Sequence, residues 1–107
     1  MCVPETLDVG PLDELPPGAV KVVAWEDLDI AVVNCGGELF ALEDTCSHGA
    51  ASLAEGDLDE AACTLECPQH GSLFDLRTGR PLSLPAYVPQ ETFPVRVQDG
   101  VIKLEVD

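Results

Sequence analysis

Phe93-Pro94-Val95-Arg96-Val97-Gln98-Asp99-Gly100-Val101-Ile102-Lys103-Leu104-Glu105-Val106 is the stretch that decides the fold class. Two short runs rich in β-branched residues flank Asp99-Gly100. Asp-Gly is favoured in two-residue hairpin connections because both central positions take positive φ. The segment therefore predicts a β-hairpin. Pro94 has no N–H for a ladder, so its strand is expected at an edge or a bulge.

Outward from this hairpin the same grammar recurs. Val20–Trp25, Ile30–Asn34 and Glu38–Glu43 read as a meander, joined by Glu26-Asp27-Leu28-Asp29 and by Gly36-Gly37. Ala61–Leu65 reads as a further strand. Leu73–Leu76 and Arg80–Leu84 flank Arg77-Thr78-Gly79, a turn with Gly79 where positive φ is needed. Pro85 and Pro89 frame a loop. Pro4, Gly10, Pro11, Pro16, Pro17 and Gly18 make residues 1–19 read as an extended lead-in with turns. No run of twelve residues has helical periodicity, and nine Gly and nine Pro punctuate the chain. The expectation is an all-β fold, an antiparallel sandwich or small barrel of short strands, in a single domain over residues 1–107.

Twenty acidic residues against five basic ones give a formal charge of -15. Phosphates would be repelled, which argues against nucleic acid, and an anionic membrane surface is equally disfavoured. The acidity serves solubility or steers the protein to basic patches on partners. No apolar run approaches the ~20 residues of a membrane span, and the N-terminus does not read as a secretory signal. The expected location is cytoplasmic. In a reducing compartment, five cysteines argue for metal binding over a disulfide framework. Cys2, Cys35 and Cys63 are expected as small buried hydrophobes, with Cys63 on a strand facing the core.

The chain has two histidines, and each sits beside a cysteine: Cys46-Ser47-His48 and Cys67-Pro68-Gln69-His70. Both pairs fall in irregular, small-residue segments. Two loops on a β scaffold, each offering one thiolate and one imidazole, make a four-ligand site. Scattered core cysteines with satisfied histidines would be the bland reading. Zinc is the sharper rival, but structural zinc loops usually pair like ligands, whereas each loop here mixes the two types.

C-x-H followed by C-x-x-H resembles the ligand pattern of Rieske proteins. The resemblance continues through Gly49, Gly71-Ser72, Phe74-Asp75, Thr78-Gly79 and the entry segment Leu12–Gly18. It covers nearly the whole chain and is similar to Rieske ferredoxins in particular. It implies a Rieske-like antiparallel β-sandwich with two cluster-binding loops, the cluster-binding part spanning about residues 44–85. It also implies one [2Fe–2S] cluster per chain, with Cys46 and Cys67 on one iron and His48 and His70 on the other. Two thiolates neutralise the oxidised core and neutral imidazoles leave it so. An added electron then costs less than in a four-thiolate cluster, and the potential rises into a span of about -150 to +300 mV.

Departures from the pattern narrow the type. Respiratory Rieske proteins carry an extra cysteine in each loop, joined as a disulfide. The matching positions here are Ala51 and Gln69, and Cys63 matches neither. Ser72 stands where a serine hydroxyl bonds the cluster in high-potential relatives; Phe74 replaces their tyrosine. A lower-potential cluster is expected. With both histidines committed, no ligands remain for the mononuclear iron of an oxygenase, and no flavin or nicotinamide fingerprint is present. The resemblance thus implies a carrier without a catalytic site. It would be a monomer passing electrons from a flavin-containing reductase to a terminal non-haem iron oxygenase, docking on basic patches. A fixed small subunit of a larger enzyme such as nitrite reductase, and a structural zinc module, are the alternatives.

Overall fold

The computed structural model describes residues 5–46, 51–69, 71–83 and 88–106. Among the described residues, ten strands form three antiparallel sheets. β1 (Glu5–Pro11), β10 (Val101–Val106) and β9 (Val95–Gln98) make an outer sheet in the order β1-β10-β9. β2 (Val20–Trp25), β3 (Leu28–Cys35), β4 (Glu38–Glu43) and β8 (Thr92–Phe93) make the central sheet in that order. β5 (Leu58–Asp59), β6 (Thr64–Glu66) and β7 (Leu73–Asp75) make a third, small sheet.

β3 explains the layering. Its residues from Ile30 to Cys35 are all buried, so side chains on both of its faces are covered. Period-two alternation sorts them. Ile30 and Val32 join Val9, Leu15, Ala41, Ile102, Leu104 and Val106 in the core against the outer sheet. Ala31, Val33 and Cys35 point the other way, to a second core with Leu42, Leu53, Leu65, Phe74 and Leu76. A strand buried on both sides reads as a continuous apolar run, which is how Ile30-Ala31-Val32-Val33 appears in the sequence.

The C-terminal hairpin forms as expected, with Val101 opposite Gln98 and both turn residues at positive φ. Pro94 is the point where the chain changes sheets. β8 before it pairs with β4, and β9 after it pairs with β10. Both are edge strands. Gly79 takes φ 76° in its turn.

Four expectations need correction. The lead-in contains β1, a seven-residue strand paired with β10. Its partner lies at the far end of the chain, so no local turn marks it, and a register shift between Asp8 and Gly10 breaks its alternation. Ala61–Leu65 is not a strand. Residues 60–63 form a turn and β6 begins only at Thr64. Arg80–Leu84 yields a single bridge, Phe74 to Pro81, and residues 84–87 lie outside the described residues. Finally, Cys35 and Cys63 are buried as expected, but they form a disulfide. Cys63 sits in the turn, not on a strand, and Cys2 lies outside the described residues.

Candidate metal centre

The neck of the first loop is built by Asp44. β4 ends at Glu43, and the Asp44 N–H donates to the Asp29 carbonyl at 2.8 Å, turning the chain away from the sheet. The loop then closes on itself. Thr45 bridges Ser52, and the Cys46 N–H donates to the Ala51 carbonyl at 2.9 Å. Asp44 holds the returning strand. Its carboxylate accepts from the Ser52 hydroxyl and, at 2.9 Å, from the Ala54 N–H. Its carbonyl accepts from the Leu53 N–H at 2.8 Å. These bonds start the short 3-10 turn Leu53–Glu55, whose Leu53 is fully buried.

A second brace comes from Gln90, itself buried. Its side-chain amide donates to the Glu43 carbonyl at 2.7 Å and to the Thr45 carbonyl at 2.6 Å. It thus fixes the residues on either side of Asp44. The Gln90 N–H donates to the Gly79 carbonyl at 2.7 Å, which ties this brace to the β7 turn.

The second loop follows β6, which runs straight into Cys67. The Cys67 N–H donates to the Ser72 carbonyl at 2.8 Å, and the Cys67 carbonyl accepts from the Gly71 N–H at 2.9 Å. Gly71 makes the return at φ 73°, a conformation that favours glycine. Ser72 is fully buried and leads into β7. The two loops meet through Gly56. A Cβ built there would lie 1.6 Å from the Glu66 carbonyl oxygen and 3.2 Å from Pro68 Cδ. Only a residue without a side chain lets the segment after the first loop pass so close to the second.

Cys46 and Cys67, the two predicted thiolate ligands, are 2% and 0% exposed and belong to one buried group with Leu53, Leu65 and Phe74. Neither is in a disulfide, whereas Cys35 and Cys63 are bonded to each other. The predicted imidazole ligands, His48 and His70, lie outside the described residues. Among the described residues, no three His, Cys, Asp or Glu side chains gather as a metal site. The donor set still fits an iron–sulfur centre. Two buried thiols left unoxidised beside an oxidised pair, each at the root of its own loop, are what a cluster with one thiolate from each loop requires. Ala51 is half-buried and Gln69 exposed.

Sequence reasoning missed Asp44, Gln90 and Gly56. An Asp directly after a strand and before a small-residue loop is a signal for Asp44. Nothing local marks Gln90, whose partners lie 45 and 47 residues away. Burial raises the Glu43 carboxyl above its ordinary value of 4.5, and the Glu91 carboxylate adds to this.

A family model described as the Rieske [2Fe-2S] domain matches residues 5–94. The 3-phenylpropionate/cinnamic acid dioxygenase ferredoxin subunit of Photorhabdus laumondii is 48% identical over 95 residues, covering 89% of each chain. The ferredoxin of carbazole 1,9a-dioxygenase from Nocardioides aromaticivorans IC177 superposes with a TM-score of 0.90 at 31% identity, covering 99% of this chain and 100% of its own. A chain from the complex of reduced oxygenase and oxidized ferredoxin in carbazole 1,9a-dioxygenase superposes with a TM-score of 0.88 at 39% identity, covering 94% of this chain and 92% of its own.

Proposed function

Because this chain belongs to the Rieske [2Fe–2S] domain family, we propose that it receives electrons from a flavin-containing reductase and delivers them to a terminal non-haem iron oxygenase. The protein is an electron carrier and not itself the catalyst. It carries one [2Fe–2S] cluster, which supplies a one-electron couple. Cys46 and Cys67 ligate one iron through their thiolates; His48 and His70 ligate the other.

The observation that carries this reading is the match along nearly the full length to a dioxygenase ferredoxin subunit. The site supports it. The β4–Asp44 neck and the Cys67–Ser72 turn fix the two thiols against a dry core of Leu53, Leu65 and Phe74. Water is kept from both thiols, which are buried.

Docking follows from charge. A chain at -15 meets basic patches on both partners, through small and transient interfaces. The protein acts as a monomer in the cytoplasm. Among the described residues, no helix is long and apolar enough to cross a membrane.

The test is a reconstituted chain of a flavin reductase, this protein and a terminal oxygenase of an aromatic acid. Oxygenase turnover depends on this protein and falls steeply as salt is raised from about 0.05 to 0.5 M, where screening shortens the reach of surface charge. Turnover that proceeds without it refutes the carrier role. A rate indifferent to salt refutes the docking.

A further inference from the structure

The described cysteines outside the proposed cluster site form a second redox-capable pair, which electron carriage does not use. Cys35 ends β3 in the central sheet. Cys63 ends the turn that feeds β6, four positions before Cys67. Their disulfide, 28 residues apart in sequence, ties the small sheet to the central one.

Other bonds of the turn around it lie at the exposed surface: the Asp59 carboxylate accepts from the Ala61 and Ala62 N–H groups at 3.0 and 3.2 Å. The Glu60 carboxylate accepts from the Gly36 N–H at 3.2 Å, at the exposed surface. It also packs on Gly18, where a Cβ would come within 3.1 Å of its oxygen. The Cys63 carbonyl accepts from the Leu76 N–H at 3.0 Å. Cys63 sits at φ 54°, which a residue with a side chain rarely adopts. The cross-link therefore keeps a conformation that the free chain tends to leave. Both sulfurs belong to buried residues, and the Glu60 carbonyl oxygen lies 3.2 Å from the Cys35 sulfur and 3.7 Å from the Cys63 sulfur, in a turn whose residues Glu60, Ala61 and Ala62 are exposed. Opening of that exposed turn would bring a thiol within reach of the bond.

We propose that Cys35–Cys63 is a thiol-exchangeable lock on the small sheet. In the disulfide form it holds β6, and with it Cys67, against the central sheet. In the dithiol form the turn opens and the cluster is retained less well. This last effect rests on the proposed cluster site; the lock itself does not. The co-substrate is a dithiol. Its first thiolate attacks the Cys63 sulfur, breaks the S–S bond and releases the Cys35 thiolate. Its second thiolate attacks the mixed disulfide and releases the Cys63 thiolate. The dithiol leaves as a disulfide, and the protein gains two electrons and two protons as two thiols.

The experiment poises the full-length holoprotein in mixtures of reduced and oxidised dithiothreitol. Alkylation and mass spectrometry count the thiols. Hydrogen–deuterium exchange is followed over residues 58–66, and cluster loss by visible bleaching. On reduction, exchange over 58–66 rises at least tenfold, exchange in Val101–Val106 stays unchanged, and bleaching accelerates several-fold. Reoxidation reverses the exchange. A C35S/C63S variant behaves as the reduced form and no longer responds to dithiothreitol. Unchanged exchange over 58–66 in fully reduced protein overturns the lock, as does a pair that stays reduced in oxidising buffer. Faster exchange with unchanged bleaching overturns the effect on cluster retention alone. Protein without any cluster sinks the carrier reading, while the exchange measurement still decides the lock.

Discussion

The Ser52 hydroxyl donates to the Asp44 carboxylate, and this bond closes the neck of the loop that begins at Cys46. Asp44 is 4% exposed and accepts from the Ala54 N–H as well. Asp44→Ala leaves both half-buried donors without their acceptor. The expected loss is about 1–3 kcal/mol of stability, read by urea denaturation, with faster cluster bleaching. Asp44→Asn keeps one acceptor oxygen and loses less. Equal stability of Asp44→Ala and the parent would show that the neck is held elsewhere.

Gly56 answers to space. Its missing Cβ would sit 1.6 Å from the Glu66 carbonyl oxygen, a backbone atom that moves only if β6 moves. Gly56→Ala is expected to cost about 1–3 kcal/mol, as overpacked positions do, and to disturb Cys67 through Glu66. Thermal melting and the visible spectrum of the variant check this. A variant with parental melting and an unaltered spectrum contradicts it.

How much of this was legible in the sequence depended on range. The Asp99-Gly100 hairpin and the Val20–Glu43 meander are local, with partners a turn away, and the sequence marks them. β1 pairs with the opposite end of the chain, so its seven residues passed for a lead-in. The four proposed ligand positions stand out in the sequence because the two histidines each neighbour a cysteine. The supports at Gln90 and Gly56 do not, because Gln90 donates to main-chain carbonyls 47 and 45 residues away and Gly56 answers to the main-chain carbonyl of Glu66, contacts that leave no trace in composition. Cys35–Cys63 was misread for a different reason. The compartment argument weighs cysteines by their number, whereas a disulfide needs two particular residues brought together by β3 and the turn before β6.

Glu43 makes stability depend on pH. Burial first, and Glu91 second, raise its folded pKa above the ordinary 4.5. The folded state then holds the proton more tightly than the unfolded one. Stability from this group is full below 4.5 and is lost as pH rises through the raised folded value. Glu43→Gln, which cannot ionise, should melt higher than the parent at pH ~7, with the gap closing as pH falls toward 4.5. A gap that widens toward acid pH reverses the sign and contradicts the assignment.

The potential should lie in the lower part of the family span, below about +100 mV. Ser72, fully buried at the foot of the second loop, is expected to donate toward the cluster, and Phe74 has no hydroxyl to do so. Ser72→Ala should lower the midpoint and Phe74→Tyr should raise it, each by tens of millivolts. Redox titration followed by visible absorbance reads all three. A parental midpoint above that bound, or a Ser72→Ala midpoint that does not fall, counts against the second-loop assignment.

The account stands on mixed ligation, with Cys46 and Cys67 on one iron and His48 and His70 on the other. Its most direct test is pulsed electron paramagnetic resonance of the reduced protein grown with 15N-histidine. The account predicts strong hyperfine coupling to two histidine nitrogens, one of which disappears in His48→Cys and the other in His70→Cys. A reduced cluster with no strong nitrogen coupling would place thiolates on both irons and contradict it.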